Sequence, residues 1–191
     1  MLSSINPLGE RARGQKFWLT TTWYVMGSIS GGLLLGSLGG AVGSLLPGGR
    51  WRLITAMGVV AVATVLELAD RVPPSLHRQV DEDWLTRYRG WVYGLGFGAQ
   101  LGFGLATIVT SVSVHTTAVV TVLSGSWSRG ALIGGVFGLM RSLPILSVLR
   151  AGDPSVLRAV MRRLQGRLSL AKLTVVATHA LLFALALIAL L

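Results

Sequence analysis

The chain has no cysteine among its 191 residues. Disulfides, thiolate metal sites and dithiol chemistry are therefore excluded for this polypeptide acting alone. Charge is scarce too. Only 13% of residues are charged, against about a quarter in an ordinary soluble domain. Acids are the rarest class, with 7 Asp and Glu facing 17 Lys and Arg, for a net charge of +10. The sequence contains no phosphate-binding glycine loop, no HExxH, no GxSxG and no convincing catalytic dyad. The chain is read as non-enzymatic, with no metal and no cofactor.

What is present is apolar surface: 52% hydrophobic residues and a mean hydropathy of +0.67. That composition points to an all-α polytopic membrane protein. On a soluble protein the positive charge would suggest nucleic acid. In a membrane protein it sets topology and meets anionic lipid, and no nucleic-acid partner is expected. Five segments are long enough to cross a bilayer, at about 20 apolar residues each: 17–46, 53–68, 91–123, 130–149 and 170–191. The first is too long for a signal-peptide core and is read as a retained span. The third is long enough to tilt steeply or break, which leaves six crossings open.

Lys and Arg fall in alternate loops. Arg11, Arg13 and Lys16 precede the first span. Arg71, Arg78, Arg87 and Arg89 follow the second, and Arg150, Arg158, Arg162, Arg163, Arg167 and Lys172 follow the fourth. Only Arg50, Arg52 and Arg129 lie on the other side, and Arg141 lies within a span. The expected topology is a cytoplasmic N-terminus and an outward C-terminus in a bacterial cytoplasmic membrane. Five spans keep this consistent, whereas a true break in the third would spoil it.

The glycines, 25 in all, contain a repeat. Residues 27–45, GSISGGLLLGSLGGAVGSL, match 125–143, GSWSRGALIGGVFGLMRSL, at nine of 19 positions with a constant offset of 98. The charge pattern gives the two segments opposite directions, as in an inverted-topology repeat; coincidence between two glycine-rich helices is the alternative. Gly32, Gly36 and Gly40, like Gly130, Gly134 and Gly138, share one helix face and are read as close-packing positions. On this reading residues 1–69 form a truncated first repeat, 70–90 a cytoplasmic loop, and 91–191 a complete second repeat within one membrane domain. The first repeat lacks a counterpart of the third span, so a second copy or a partner membrane subunit is expected to supply its packing surface.

RYRGWVYGLGFGAQLGFGLATIVTSVSVHTTAVVTVLSG followed by GALIGGVFGLMRSLPIL resembles the CcdA and DsbD type of cytochrome c biogenesis membrane domain, within the LysE-like exporter superfamily. The likeness is best over residues 85–150 and rests on glycine spacing and the FGL-R-LP ending. It implies a scaffold of inverted three-helix repeats. The family's reactive cysteine has no counterpart, since TSVSVH stands at the second-repeat position. The implied function is small-solute or ion transport without thiol chemistry. The alternative is a non-catalytic subunit or assembly factor of a membrane or redox complex.

Within the third span Gly94, Gly96, Gly98, Gly102 and Gly104 soften the first half, and hydroxyls crowd the second. Unwound backbone is tolerated at membrane depth only against protein or a water-filled cavity. Gln100, Thr107, Thr110, Ser111, His115 and Arg141 are the candidate substrate or ion pathway. In the alternative, the hydroxyls bond their own helix carbonyls and the glycines merely pack. Arg141 is expected to snorkel, or to pair with Glu67 or Asp70. His115 and His179 could together hold a haem or a metal, but straight helices would separate them by about 20 Å in depth. His77 is read as a solvated loop residue, and Asp81, Glu82 and Asp83 as a candidate helix start.

Segment 153–168, DPSVLRAVMRRLQGRL, is the clearest motif. Its Pro suits a first helical position. Val156, Leu157, Val160, Met161, Leu164 and Leu168 gather on one side, with Arg158, Arg162, Arg163 and Arg167 opposite. It reads as an interfacial helix on the anionic cytoplasmic leaflet, or else as a partner-binding helix.

Overall fold

A computed structural model describes residues 5–71, 83–104, 111–149 and 151–190. Among these residues the secondary structure is entirely helical. Four helices are long and apolar enough to cross a membrane: α2 (Phe17–Ser44), α3 (Arg50–Leu68), α7 (Trp127–Ser142), which a 3₁₀ turn extends over Leu143–Val148, and α9 (Leu168–Leu190). The shorter helices are α1 (Pro7–Ala12), α4 (Trp84–Arg87), α5 (Gly90–Phe103), α6 (Ser113–Leu123) and α8 (Pro154–Gln165).

The third apolar segment is not one helix. It ends at Phe103 as α5 and resumes at Ser113 as α6. Gly104 closes α5 at φ +74°, a left-handed conformation that glycine adopts without steric cost. His77, Asp81, Glu82, Thr107 and Thr110 lie outside the described residues. Asp83 stands at the N-cap of α4, where its side chain makes no capping bond.

α2 is the axis of the bundle, packed against α5, α6 and α7, while α3 packs on α9 and touches α6. Glycine sets the approach. A methyl group at Gly36 would overlap the carbonyl oxygen of Gly130, and one at Gly130 would overlap that of Gly36. Gly32 and Gly134 stand in the same reciprocal relation. Gly40 abuts the Ser126 carbonyl and Gly138 that of Ser28. These contacts run antiparallel, and the 98-residue offset turns each one into another of the set. Ser28 adds a hydroxyl bond to the Gly138 carbonyl at 2.6 Å.

α5 runs the opposite way along α2. Gly94, Gly98 and Gly102 meet the carbonyls of Thr20, Tyr24 and Ser28 in turn, so the two helices are parallel. α6 continues in that direction, with Thr121 against Gly39 and Val122 against Gly43. Both halves of the broken segment therefore point the same way along α2.

α3 ends at Asp70, whose φ of 51° is left-handed, with the Arg71 N–H returning to the Leu66 carbonyl at 3.0 Å. At the other end of α2, Arg52 closes the chain reversal by donating to the carbonyls of Gly43 and Leu46 at 2.8 and 2.6 Å.

Where α2 and α5 start, a compact apolar cluster forms from Ile5, Tyr24, Tyr93, Phe97, Ile145, Val148 and Ala151. Trp84 of α4 and Leu157, Val160 and Met161 of α8 pack on it. α8 is capped by Asp153, whose side chain accepts from the Ser155 N–H at 2.9 Å. The apolar side of α8 thus leans on protein, whereas the sequence pattern alone lays it on lipid.

Candidate functional site

The break between α5 and α6 concentrates the membrane-embedded polar chemistry. A helix end leaves up to four carbonyls or four N–H groups without intrahelical partners. In hydrocarbon such groups must be satisfied internally. Arg141, half-buried on α7, donates from Nη1 to the Leu101 carbonyl in the last turn of α5 at 2.9 Å. Its guanidinium also lies 5.4 Å from the Phe137 ring centre. On the far side of the break, Glu67 of α3 accepts from the Val112 N–H at 3.0 Å and from the Ser111 hydroxyl at 3.1 Å, at the start of α6. A cation therefore sits at a helix C-terminus and a carboxylate at a helix N-terminus, each matched to the sign of the local dipole.

This corrects the pairing expected from sequence. Arg141 binds α5 rather than Glu67 or Asp70. Glu67 binds α6, and Asp70 pairs with Lys172 at 2.6 Å, whose ammonium also donates to the Leu68 carbonyl at 3.2 Å. The side chains meet backbone because the broken helix presents stronger unmet demands than the ions present to one another.

Gly104 occupies the centre of the junction. A Cβ there would fall 3.0–3.3 Å from Val114, Arg141 and Phe137. Tyr24, buried on α2, lies within electrostatic reach of Arg141. Gln100 sits half-buried one turn before the end of α5, where its backbone carbonyl accepts the Gly104 N–H at 3.2 Å. Most hydroxyls of α6 bond their own helix: Thr116 to Val112, Thr117 to Ser113 and Thr121 to Ala118. Ser111 and Ser113 instead share a hydrogen bond at 2.8 Å beside Glu67.

The two histidines have different surroundings. His115 lines a shallow apolar groove of about 440 Å³ between α3 and α6, with Thr55, Gly58, Ala63 and Thr116. His179 is 3% exposed on α9, within electrostatic reach of Glu67. Each carries a buried Nδ1 with no hydrogen-bond partner among the described residues. No group of three metal-ligating side chains occurs among the described residues.

A second polar cluster lies where the sequence pattern shows only a polar N-terminal segment. Glu10 is completely buried. Its carboxylate accepts from Tyr93 at 2.5 Å, from Thr20 at 2.7 Å and from Arg13 at 2.6 Å. Burial pulls the Arg13 guanidinium down, but its hydrogen bonds and charge interactions with Glu10 and Tyr93 together outweigh this and hold it above its ordinary range. Gln15 accepts the Gly90 N–H at 3.1 Å and joins the same cluster to the start of α5. A local signal for this element exists: Asn6 followed by Pro7 is a helix-start pair, and Asn6 caps α1 through the Gly9 N–H at 2.9 Å.

These elements define a helical membrane protein built around a glycine-packed axis and a discontinuous helix with charged caps. Similar proteins carry one name. Methylamine utilization protein MauF of Paracoccus versutus is 30% identical over 151 residues, 75% of this chain and 55% of that protein. MauF of Paracoccus denitrificans is 30% identical over 150 residues, 75% of this chain and 54% of that protein. MauF of Methylorubrum extorquens is 28% identical over 173 residues, 87% of this chain and 60% of that protein. The chain spans about half the length of the curated relatives it matches. No family profile matches it, and no solved structure matches it.

The relatives overturn the likeness to the CcdA and DsbD family, and with it the cytochrome c biogenesis and exporter reading. The likeness rested on glycine spacing, which any pair of closely crossing membrane helices requires. The solute or ion transport reading falls with it, and the accessory alternative fits the relatives better.

Proposed function

We propose that this chain is a non-catalytic accessory membrane protein of methylamine utilization, supporting the assembly of a membrane or redox complex. Its relatives carry the name of that process. The observation that carries the accessory role is the state of the break. Arg141 and Glu67 are both committed to the ends of the protein's own half-helices. A site that handled a solute would leave such charges for the solute; here they hold a fixed scaffold. Arg141, Glu67 and Ser111 are assigned this scaffolding role, with Gln100 and His115 beside them.

The accompanying topology is five crossings in a bacterial cytoplasmic membrane, with a cytoplasmic N-terminus. The parallel course of α5 and α6 along α2 supports counting them as one crossing. The reciprocal glycine contacts of α2 and α7 support an inverted repeat, since they convert into one another under the sequence offset. A second copy of the chain or a partner membrane subunit is the expected packing partner of the bundle.

The test is deletion of the gene in a host that grows on methylamine. Growth on methylamine should fail while growth on an unrelated substrate continues, and the intact gene should restore it. The tagged chain, purified in mild detergent, should carry a stoichiometric partner identified by mass spectrometry. Normal growth on methylamine together with a chain that purifies alone would sink the reading.

A further inference from the structure

α8 is strung between the end of α7 with its 3₁₀ turn and the start of α9. Both neighbours are membrane-length helices, so α8 lies at the membrane boundary. Leu157, Val160 and Met161 pack on the cluster formed by Ile145, Val148 and Ala151. That packing fixes the helix in rotation and leaves two different flanks. One flank carries Arg158 and Arg162, one turn apart, over a shallow depression of about 330 Å³ lined by Leu157, Met161 and Gln165 as well. The other carries Arg163, with Arg167 in the turn just past the end of the helix. At 100° per residue Arg163 stands on the opposite side of the Leu157–Met161 line from Arg158 and Arg162. Arg158 and Arg162 are exposed, and neither has an acidic partner among the described residues.

We propose that the Arg158–Arg162 flank of α8 is a binding site for an anionic phospholipid, with the phosphate between the two guanidiniums and the acyl chain over Leu157 and Met161. Two guanidiniums at (i, i+4) spacing face the same way and match the oxygens of a phosphate diester. The apolar floor beside them separates a lipid from a soluble anion, because it has no use for a ligand without a hydrocarbon chain. Charge complementarity selects anionic over zwitterionic lipid, each arginine near an anionic surface contributing a preference of severalfold. The sequence pattern assigns all four arginines to the membrane surface alike; the packing of α8 divides them. This inference is independent of any role in methylamine utilization.

The experiment is native mass spectrometry of the purified, delipidated full chain titrated with phosphatidylglycerol or phosphatidylcholine. The first phosphatidylglycerol should bind about tenfold more tightly than phosphatidylcholine. The double variant Arg158→Gln with Arg162→Gln should lose that preference, whereas Arg163→Gln with Arg167→Gln should keep it. Arg158→Lys with Arg162→Lys, which retains the charge, should keep most of it. Thermal melts of all three variants should match the parent, which separates loss of the site from loss of the fold. Equal losses from the two glutamine pairs would mean diffuse charge and would overturn the proposal. So would the absence of any phosphatidylglycerol preference in the parent chain, or complete displacement of the lipid by millimolar inorganic phosphate.

Discussion

α2 meets α7 and α5 through the same device, glycine against carbonyl, yet the two contacts have different consequences for the polar groups around them. The α2–α7 crossing joins two continuous helices and needs no charge: the Gly32–Gly134 and Gly36–Gly130 approaches bring backbone to backbone. The α2–α5 contact begins in the same way, with Gly98 on Tyr24 and Gly102 on Ser28. It then stops at Gly104, and Arg141 and Glu67 from other helices bond the exposed ends. Close packing is cheap in lipid when the helices are whole. Interrupting a helix there creates polar demands that only buried donors and acceptors can meet. The membrane arginine and the membrane glutamate are consequences of the break.

Five substitutions sharpen this comparison. Gly36→Leu should be the most damaging, because the side chain has nowhere to go but into the Gly130 backbone. A cost of about 3 kcal/mol or more is expected from such overpacking, seen as little or no monodisperse protein in detergent. If Gly36→Leu melts like the parent, the crossing does not depend on backbone contact. Glu10→Ala comes next, at about 3 kcal/mol, because Arg13, Tyr93 and Thr20 lose a shared buried acceptor. A thermal midpoint unchanged by Glu10→Ala would show that the N-terminal turn is not held by this network.

At the break the effects are smaller. Arg141→Met and Glu67→Gln should each cost about 1–2 kcal/mol, as cap and dipole contributions are lost from α5 and α6. Hydrogen exchange should rise around Gly104 and at the start of α6 in these variants, while the α2–α7 glycines stay protected. Uniform exchange along both contacts would erase the distinction drawn between them. Gly58→Ala is the control. Its added Cβ meets nothing within 4 Å, so the midpoint should stay level or rise slightly, by about 1 kcal/mol at most from helix propensity.

The helices themselves were legible because apolar length and glycine spacing are local properties. The expected segments 17–46, 53–68, 130–149 and 170–191 correspond to α2, α3, α7 with its 3₁₀ turn, and α9. Pro144 lies in that turn, just where α7 gives way, as the loss of its N–H requires. The softness of the third segment was also visible in its glycines. What could not be read was which partner each charge would take. Arg141 lies 40 residues from Leu101, and Glu67 lies 45 from Val112. Pairing by charge sign offered Arg141 only Glu67 or Asp70, because a sequence displays side-chain charges and conceals the free ends of a helix that has yet to break.

Taken alone, the residues determined that the chain is helical, membrane-embedded, free of thiol chemistry and packed through small side chains, since composition and periodicity report burial and spacing directly. Only the tertiary structure decided that α5 and α6 run in one direction along α2, that Arg141 and Glu67 cap opposite sides of one gap, and that Glu10 is buried under a cluster assembled from three helices. Each of these depends on distances between residues far apart in the chain, and those distances exist only once the glycine faces have closed.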